Sequence, residues 1–342
     1  MRLANAPTAE ISPNQATQIK RNIMIVKLLS TIDSSYQAPL EVLAYSLLQS
    51  KHDWTTIEWH IVTETLDSGW LFWLDRMNLQ FQSQRATFKI HELQGLSAGE
   101  LPLRGRARRI MYARLVAPEQ LHNMAERLLY LDADMLVMQP IEELWEIDLE
   151  GHVCGCCQDL AVPYVSSPMA IKDPNASGLP FDAPYFNAGV MLIDTKKWQK
   201  EGISSKALTY LEHNATHINL YDQEALNAAL KGDWLRLSYR WNLIASIAGR
   251  SFIDPATPES EDYQSSLLKP CIVHFAGTLK PWLNPLLRGR WFDLYRSWLK
   301  RAIPAHKFRP KIVHWLHASY DKIIRHWTYP VERKIWQLLR GF

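Results

Sequence analysis

The chain has 342 residues, of which 47% are hydrophobic and 21% charged, a composition that excludes a wholly disordered protein. Its length suits one large globular domain with an extension, or two modest domains. No run of about 18 apolar residues occurs, which excludes a membrane-spanning helix. The net charge of +3 is unevenly distributed, because residues 286–342 hold thirteen of the 38 basic side chains and three of the 35 acidic ones. The sequence therefore predicts an acidic body and a basic tail that meets an anionic partner.

Apolar runs of strand length alternate with segments of helical spacing along the chain. Residues 1–21 are polar and predict a flexible extension, without the pattern of a signal or transit peptide. We then predict strands at 23–29, 57–62, 87–93, 127–131, 152–158, 189–194 and 271–275, and helices at 39–49, 70–81, 106–116, 204–212 and 222–230. Residues 164–185 are rich in Pro, Ser, Asp and Asn and predict a long loop. The alternation indicates an α/β fold, with a mixed, mainly parallel sheet flanked by helices.

Three of the four cysteines lie close together, at Cys154, Cys156 and Cys157. Strand residues one or two apart do not easily form a disulfide, so this is not a secreted disulfide framework. A zinc site usually needs a second pair of ligands at a set spacing, and only Cys271 remains. We interpret the cysteines as structural thiols in a reduced, cytoplasmic setting, with zinc as the less favoured alternative.

Two carboxylates, Asp132 and Asp134, follow the predicted strand at 127–131, and open α/β sheets bind ligands beyond the carboxyl ends of their strands. Side chains two residues apart in an extended segment point the same way, so both carboxylates can converge on one hard cation. The alternative is a solvated turn, but the apolar residues on both sides would then leave buried charge without a partner. The pair therefore predicts a site for Mg²⁺ or Mn²⁺, which would neutralise a diphosphate leaving group.

His274 lies in the last predicted strand and is followed by Gly277 and Lys280. A lone histidine at the end of a strand is usually structural. Here Gly277 permits the backbone to approach a phosphate closely, and Lys280 supplies a positive charge. The spacing therefore favours His274 as a third metal ligand.

Two further segments place polar side chains beside predicted elements. Asn187 opens a buried strand and offers donor and acceptor groups to sugar hydroxyls, while the small Ala188 and Gly189 leave room for a ring. Asp222 stands at the start of the helix at 222–230, where N-capping alone would explain it. Neither segment indicates a function unless it is combined with the others.

Taken in chain order, these segments resemble the motifs of the family 8 glycosyltransferases. The segments are Asp33, Tyr112-Ala113-Arg114, Tyr130 to Asp134, Phe186 to Val190, Asp222-Gln223 with Asn227, and His274 to Trp282. The likeness is greatest to the bacterial lipopolysaccharide and lipooligosaccharide galactosyl- and glucosyltransferases. It implies a GT-A catalytic domain over residues 22–285, a UDP-sugar donor, Mn²⁺ or alternatively Mg²⁺ as cofactor, and transfer with retention of configuration to a glycan or lipid-linked acceptor.

The resemblance also implies a role for each matching residue. It assigns Asp132, Asp134 and His274 to the metal. It assigns donor contacts to Asp33, Ser35, Arg114, Asn187, Gly277 and Lys280, and positions at the reacting sugar to Asp159, Asp222 and Gln223. Ser35 departs from the family, in which an Asn on the ribose is common. Since no carboxylate stands out as a covalent nucleophile, we predict that the acceptor hydroxyl attacks on the face that the leaving group departs from.

The basic tail at 286–342 contains five Trp residues, and its segments 291–299 and 312–327 predict amphipathic helices. Interfacial aromatics among basic side chains favour an anionic membrane over a helical cap on the core or a nucleic-acid patch. We therefore expect a cytoplasmic protein, peripheral on the inner face of the cytoplasmic membrane, that does not bind nucleic acid.

Two other functions remain open from the sequence. A metal-dependent nucleotidyltransferase also uses paired aspartates, but normally has an early Gly-rich phosphate loop, and residues 30–35 contain no Gly. A non-catalytic UDP-sugar-binding protein would have no need of all three metal ligands. Hydrolysis of UDP-sugars in the presence of Mn²⁺ distinguishes these alternatives from a transferase.

Overall fold

The computed structural model describes residues 23–96, 101–103, 108–175, 177–249 and 258–304. The predicted extension at 1–21 and the first residues of the helix predicted at 106–116 lie outside the described residues. So do the helix predicted at 312–327 and the rest of the tail from residue 305 onward.

The helices and strands alternate as the sequence predicts. The strands are β1 (Met24–Thr31), β2 (Thr55–Thr63), β3 (Ala86–Glu92), β4 (Arg127–Leu131), β5 (Met135–Val137), β6 (Cys154–Gln158), β7 (Phe186–Asp194), β8 (Trp234–Arg236), β9 (Leu243–Ile244) and β10 (Ile272–His274). The helices are α1 (Gln37–Ser50), α2 (Ser68–Phe81), α3 (Arg109–Gln120), α4 (Glu142–Trp145), α5 (Thr195–Lys200), α6 (Ile203–Asn214), α7 (Tyr221–Leu230), α8 (Pro258–Leu268) and α9 (Arg290–Ala302). Each predicted strand or helix before residue 286 falls on one of these elements, with ends that differ by a few residues.

Within the described residues the central sheet has the strand order β3-β2-β1-β4-β7-β6-β8. Strand β1 pairs in parallel with β2 and β4, β2 with β3, and β6 with β8, whereas β7 runs antiparallel to both of its neighbours. The predicted mixed and mainly parallel sheet is therefore confirmed. Because β7 is reversed, its middle lies beside the end of β4, where Leu131 pairs with Val190 and the two aspartates follow.

A second, small sheet with the order β5-β10-β9 brings distant segments of the chain together. Strand β10 runs antiparallel to β5, and the register pairs His274 with Met135. The N–H of Phe275 donates to the carbonyl of Asp134 at 2.8 Å, which continues this pairing by one residue. His274 thereby lies beside Asp134, although 140 positions separate them in the chain.

Helix α9 packs against the small sheet. Trp291, Tyr295 and Leu299 are buried on its inner side, and the Tyr295 ring lies 4.8 Å from Phe275 and 5.6 Å from Trp282 between ring centroids. The helix predicted at 291–299 is thus confirmed, and it is attached to the body. Division of the chain into a domain at 22–285 and a tail at 286–342 stays a prediction. Among the described helices, none has both the length and the apolar character that crossing a bilayer requires.

The cysteines are free and buried, as expected for structural thiols. The sulfurs of Cys154 and Cys156 lie 3.6 Å apart on one side of β6. Burial raises the pKa of the Cys156 thiol well above its usual value, and Cys154 adds to the effect. The Cys156 thiol is therefore held in the unreactive, protonated form.

Candidate active site

Asp132 and Asp134 lie in the tight connection between β4 and β5. The N–H of Asp132 donates to the carbonyl of Gly189 in β7 at 2.9 Å, so the neighbouring strand fixes the start of this connection. The carbonyl of Asp134 is fixed from the other side by Phe275 at the end of β10. The central and the small sheet therefore hold one aspartate each.

Three potential metal ligands face one another at this point. His274 Nε2 lies 3.6 Å from Asp132 Oδ2 and 3.4 Å from Asp134 Oδ1, and one ligand atom from each residue lies within 4.8 Å of the others. Atoms that ligate one small divalent cation at about 2.1 Å are about 3 to 4 Å apart. Two carboxylates and an imidazole with this spacing fit such a cation, as the sequence predicts for these three residues.

The oxygens that face away from this cluster are bound by basic side chains. Asp132 Oδ1 accepts from Arg114 Nη2 at 2.7 Å and from the Tyr130 hydroxyl at 2.9 Å, while Asp134 Oδ2 accepts from Lys280 Nζ. Burial alone would raise the pKa of Asp134, but the positive charge of Lys280, together with the adjacent His274, outweighs it and holds that pKa well below its usual value. Asp134 is therefore an anion that has an oxygen available on the side of His274.

Gly189 permits the close approach of β7 to His274. A Cβ atom at this position would lie 2.7 Å from His274 Nδ1 and 3.0 Å from Asn187 Oδ1. Both distances are shorter than ordinary van der Waals contacts of about 3.5 Å. The small residue at 189 is thus required by the imidazole, whereas the sequence suggested room for a sugar ring.

Arg114 in α3 connects the three potential metal ligands to α7. Its Nε lies 2.7 Å from Asp222 Oδ2, and its Nη1 donates to the carbonyl of Ala188 at 3.1 Å. Burial raises the pKa of Asp222 to about 6, an effect that Arg114 reduces and Asp132 increases. The expected N-cap at Asp222 is wrong, because α7 begins one residue earlier and its N-cap is Leu220. The side chain of Asp222 is directed to the guanidinium instead.

Asp159, Asn187 and Gln223 form a second polar cluster beside the metal ligands. Asp159 Oδ2 accepts from Asn187 Nδ2 at 2.9 Å and from Gln223 Nε2 at 3.1 Å. Its Oδ1 accepts from the backbone N–H groups of Ala161 at 2.8 Å and Val162 at 3.2 Å. The structure thus brings together three residues that come from β7, α7 and the segment after β6.

Asp33 and Ser35 lie at the end of β1. The Asp33 carboxylate accepts from the N–H of Ser35 at 2.8 Å and caps a short 3-10 turn at Ser34–Tyr36. The Tyr36 ring lies 5.7 Å from Trp282 and 6.0 Å from Lys280 Nζ, so this turn adjoins the segment after β10. Gly277 in that segment has a φ of +82°, a conformation that favours glycine. Asp33 and Ser35 contact each other, and within the described part of the chain neither is hydrogen-bonded to Asp132, Asp134 or His274.

Sequence reasoning missed Asn242, which lies between the 3-10 turn Tyr239–Trp241 and β9. Its Oδ1 is 2.9 Å from His274 Nδ1, and its Nδ2 donates to Asn187 Oδ1 at 2.9 Å. A single Asn next to a two-residue strand has no periodicity that would single it out. Only the pairing of β9 with β10 brings Asn242 to the imidazole.

Comparison with known proteins agrees with this geometry. The sequence pattern that defines glycosyl transferase family 8 matches residues 27–285, which is most of the chain. The chain belongs to glycosyl transferase family 8. The resemblance seen in the sequence motifs is therefore confirmed.

Two relatives illustrate the range of proteins that the chain is similar to. General stress protein A of Bacillus subtilis is 30% identical over 174 residues, which are 50% of this chain and 58% of the relative. A lipopolysaccharide 1,2-glucosyltransferase of Escherichia coli K12 is 28% identical over 255 residues, which are 73% of this chain and 71% of the relative. The chain thus spans a little over half of one relative and most of the other.

A solved structure shows the fold. The galactosyltransferase LgtC in complex with donor and acceptor sugar analogues superimposes with a TM-score of 0.67 at 24% identity, covering 81% of this chain and 96% of its own. This likeness confirms the predicted GT-A fold.

Proposed function

We propose that this protein is a retaining hexosyltransferase that transfers galactose or glucose from a UDP-sugar to a glycan or lipid-linked acceptor. The product would be part of lipopolysaccharide or another cell-surface polysaccharide. The observation that carries the proposal is the convergence of Asp132 Oδ2, Asp134 Oδ1 and His274 Nε2. The Escherichia coli glucosyltransferase, which aligns over 73% of the chain, supports the acceptor class.

Asp132, Asp134 and His274 would hold Mn²⁺, or alternatively Mg²⁺. The ion would supply positive charge that offsets the negative charge of the departing diphosphate. Lys280 adds a second positive charge at the same place, since its ammonium group bonds to Asp134. Gly277, three residues earlier, leaves the backbone open to a phosphate. Asp33 and Ser35 are proposed to contact the nucleoside, because they end β1 beside this segment.

The proposed donor-sugar side of the site consists of Asp159, Asn187, Asp222 and Gln223, with Arg114 behind them. Four N–H groups donate to the oxygens of Asp159, and Arg114 pairs with Asp222. Such bonds reduce the ability of a carboxylate to attack an anomeric carbon, because its lone pairs are already shared.

Both ends of the Gln223 amide are also hydrogen-bonded. Its Nε2 donates to Asp159, and its Oε1 accepts from the N–H of Ala188 at 3.2 Å. These contacts favour attack by the acceptor hydroxyl on the face from which UDP leaves. The departing phosphate oxygen would accept the proton of that hydroxyl, which balances the transfer.

We further propose a cytoplasmic protein that is peripheral on the inner face of the membrane. Helix α9 buries Trp291 and Tyr295 in the body, so those two aromatic rings are not available to lipid. The proposed anionic membrane contact therefore rests on the exposed cations Lys300 and Arg301 and on the basic composition from residue 305 onward. No nucleic-acid partner is proposed.

A screen of UDP-sugars with and without Mn²⁺ tests the function. We expect release of UDP that requires Mn²⁺, from UDP-galactose or UDP-glucose, and faster release when the acceptor is present. Replacing Asp134→Asn should abolish this turnover and leave the fold intact, since the shape of the side chain is kept. The matched control is Asp233→Asn, which removes an exposed carboxylate paired with His152 and should not change turnover.

The same screen distinguishes the alternatives. Binding of UDP-sugars without turnover would indicate a non-catalytic binding protein. Release of pyrophosphate from a nucleoside triphosphate would indicate a nucleotidyltransferase. Undiminished Mn²⁺-dependent turnover by Asp134→Asn would refute the proposed ligand.

A further inference from the structure

A chain of buried polar side chains runs from the proposed donor-sugar carboxylate to the proposed metal ligand. It consists of Asp159, Asn187, Asn242 and His274, joined by three side-chain contacts of 2.9 Å each. None of the four residues is more than 7% exposed, so water does not compete for these contacts. Each member is therefore oriented by the others.

The direction of the first two bonds follows from groups that can only accept or only donate. An ionised carboxylate accepts hydrogen bonds, so Asn187 must present Nδ2 to Asp159. The backbone N–H of Gly189 donates to the other end of the same amide, Asn187 Oδ1, at 3.1 Å. Two independent contacts thus fix the orientation of Asn187.

The orientation of Asn187 then fixes Asn242 and His274. Because Asn187 Oδ1 is an acceptor, Asn242 must present Nδ2 to it, and Asn242 Oδ1 faces His274 Nδ1. A carbonyl oxygen accepts, so Nδ1 of the neutral imidazole carries the hydrogen. The lone pair then lies on Nε2, the nitrogen that faces both aspartates. A ring with the opposite tautomer would put a lone pair against the oxygen of Asn242.

We propose that Asn242 is a positioning residue that holds the hydrogen of His274 on Nδ1 and so keeps Nε2 free to ligate the divalent cation. Asn242 is itself oriented by Asp159 through Asn187. The proposal rests on the proposed function for the identity of the ligands. It adds a residue outside the sequence motifs and connects the sugar side of the site to the metal side. Partners of this kind behind a metal-bound histidine typically contribute about 10- to 100-fold to metal affinity.

Two variants separate the acceptor role of Asn242 from its size. Asn242→Leu removes the acceptor at similar volume and should weaken Mn²⁺ binding by about 10- to 100-fold. Asn242→Asp keeps an oxygen toward Nδ1 and replaces the bond to Asn187 by a contact between two acceptor oxygens. Because the acceptor for Nδ1 is kept, its Mn²⁺ affinity should exceed that of Asn242→Leu. At saturating Mn²⁺ the Leu variant should recover most of its turnover, because the defect lies in metal affinity.

The matched control is Asn78→Leu. The Asn78 side chain in α2 makes two hydrogen bonds to the backbone of Phe88, of 2.8 and 3.1 Å, and none to the chain of polar residues that ends at His274. This variant loses a comparable pair of side-chain bonds and should bind Mn²⁺ as the parent does. Binding is measured by titrating the protein with Mn²⁺ alone and recording the electron paramagnetic resonance signal of the free ion. Circular dichroism of the same samples tests whether each variant is folded.

A second measurement does not depend on the metal. The long-range ¹H–¹⁵N spectrum of histidine-labelled, metal-free protein reports which ring nitrogen carries hydrogen, and His274→Gln assigns the signal. We expect hydrogen on Nδ1 of His274 in the parent and in Asn242→Asp. Hydrogen on Nε2 alone, with none on Nδ1, in the parent overturns the inference, as does parental Mn²⁺ affinity in a folded Asn242→Leu variant. Failure of the parent to bind Mn²⁺, with hydrogen on Nδ1, would instead refute the metal in the proposed function.

Discussion

Replacing Gly189→Ala tests the close contact between β7 and the imidazole. The added Cβ would lie 2.7 Å from His274 Nδ1 and closer still to Cε1, and ordinary contacts are about 3.5 Å, so the ring must move by about 1 Å. Ligand distances in metal sites vary by only about 0.2 Å, so the displaced Nε2 no longer fits beside the two carboxylates. Because φ at Gly189 is not positive, the effect is steric and involves no backbone strain.

We expect Mn²⁺-dependent turnover to fall by about 100-fold, since a displacement of about 1 Å has effects of that size. The free energy of unfolding should fall by about 1 to 3 kcal/mol, the usual cost of overpacking. Turnover is measured as UDP release over a range of Mn²⁺ concentrations, and stability by urea unfolding.

The control is Gly155→Ala in β6, where the added Cβ would meet the methyl ends of Leu237 at 3.1 Å and Leu149 at 3.2 Å. These flexible side chains can move aside, so turnover should not change. The steric reasoning is refuted if Gly189→Ala keeps both the stability and the Mn²⁺ dependence of the parent.

Two further predictions concern stability. Burial, reinforced by the neighbouring His91, lowers the pKa of His60 to about 4, so the unfolded chain binds more protons between pH 4 and 6.5. The free energy of unfolding, measured with urea, should therefore fall by about 1 to 2 kcal/mol from pH 7 to pH 5, and by less in His60→Gln. An equal fall in the parent and in His60→Gln would contradict this prediction. A chain that ends at residue 304 should unfold within a few degrees of the full chain, whereas one that ends at residue 289 loses α9 and should not fold. Helix α9 buries Trp291, Tyr295 and Leu299, and each costs about 2 to 5 kcal/mol when truncated. Calorimetry that shows equal melting of both truncated chains would contradict the packing of α9.

The truncation also determines how the proposed membrane contact is to be tested. A cut within α9 would remove buried side chains such as Leu299 and unfold the body. A cut after residue 304 removes only the segment beyond the packed helix. Binding to vesicles of anionic lipid, compared between that chain and the full chain, then reports on the tail without a change in the core.

The sequence by itself predicted the α/β class, the order of the main elements and the three potential metal ligands that the structure brings together. Strands and helices of this length carry strong periodicity, and paired aspartates after a buried strand are a local signal. The sequence did not predict the short strands β5, β8 and β9, the short helices α4 and α5, or the longer helix α8. The short elements have too few residues for periodicity, and the three strands are held in place by pairing with neighbours.

Only the tertiary structure decided how the site residues meet. The antiparallel pairing of β10 with β5 brings His274 to Asp134, and the reversed strand β7 brings Gly189 and Asn187 to the imidazole. Asp222, expected from the sequence to cap its helix, is directed instead to Arg114 in another helix. Local pattern determines which residues are buried and which form helices or strands, because those preferences act over a few residues. Contacts such as the one between Asn242 and His274 depend on strand register between distant segments, which no local pattern encodes.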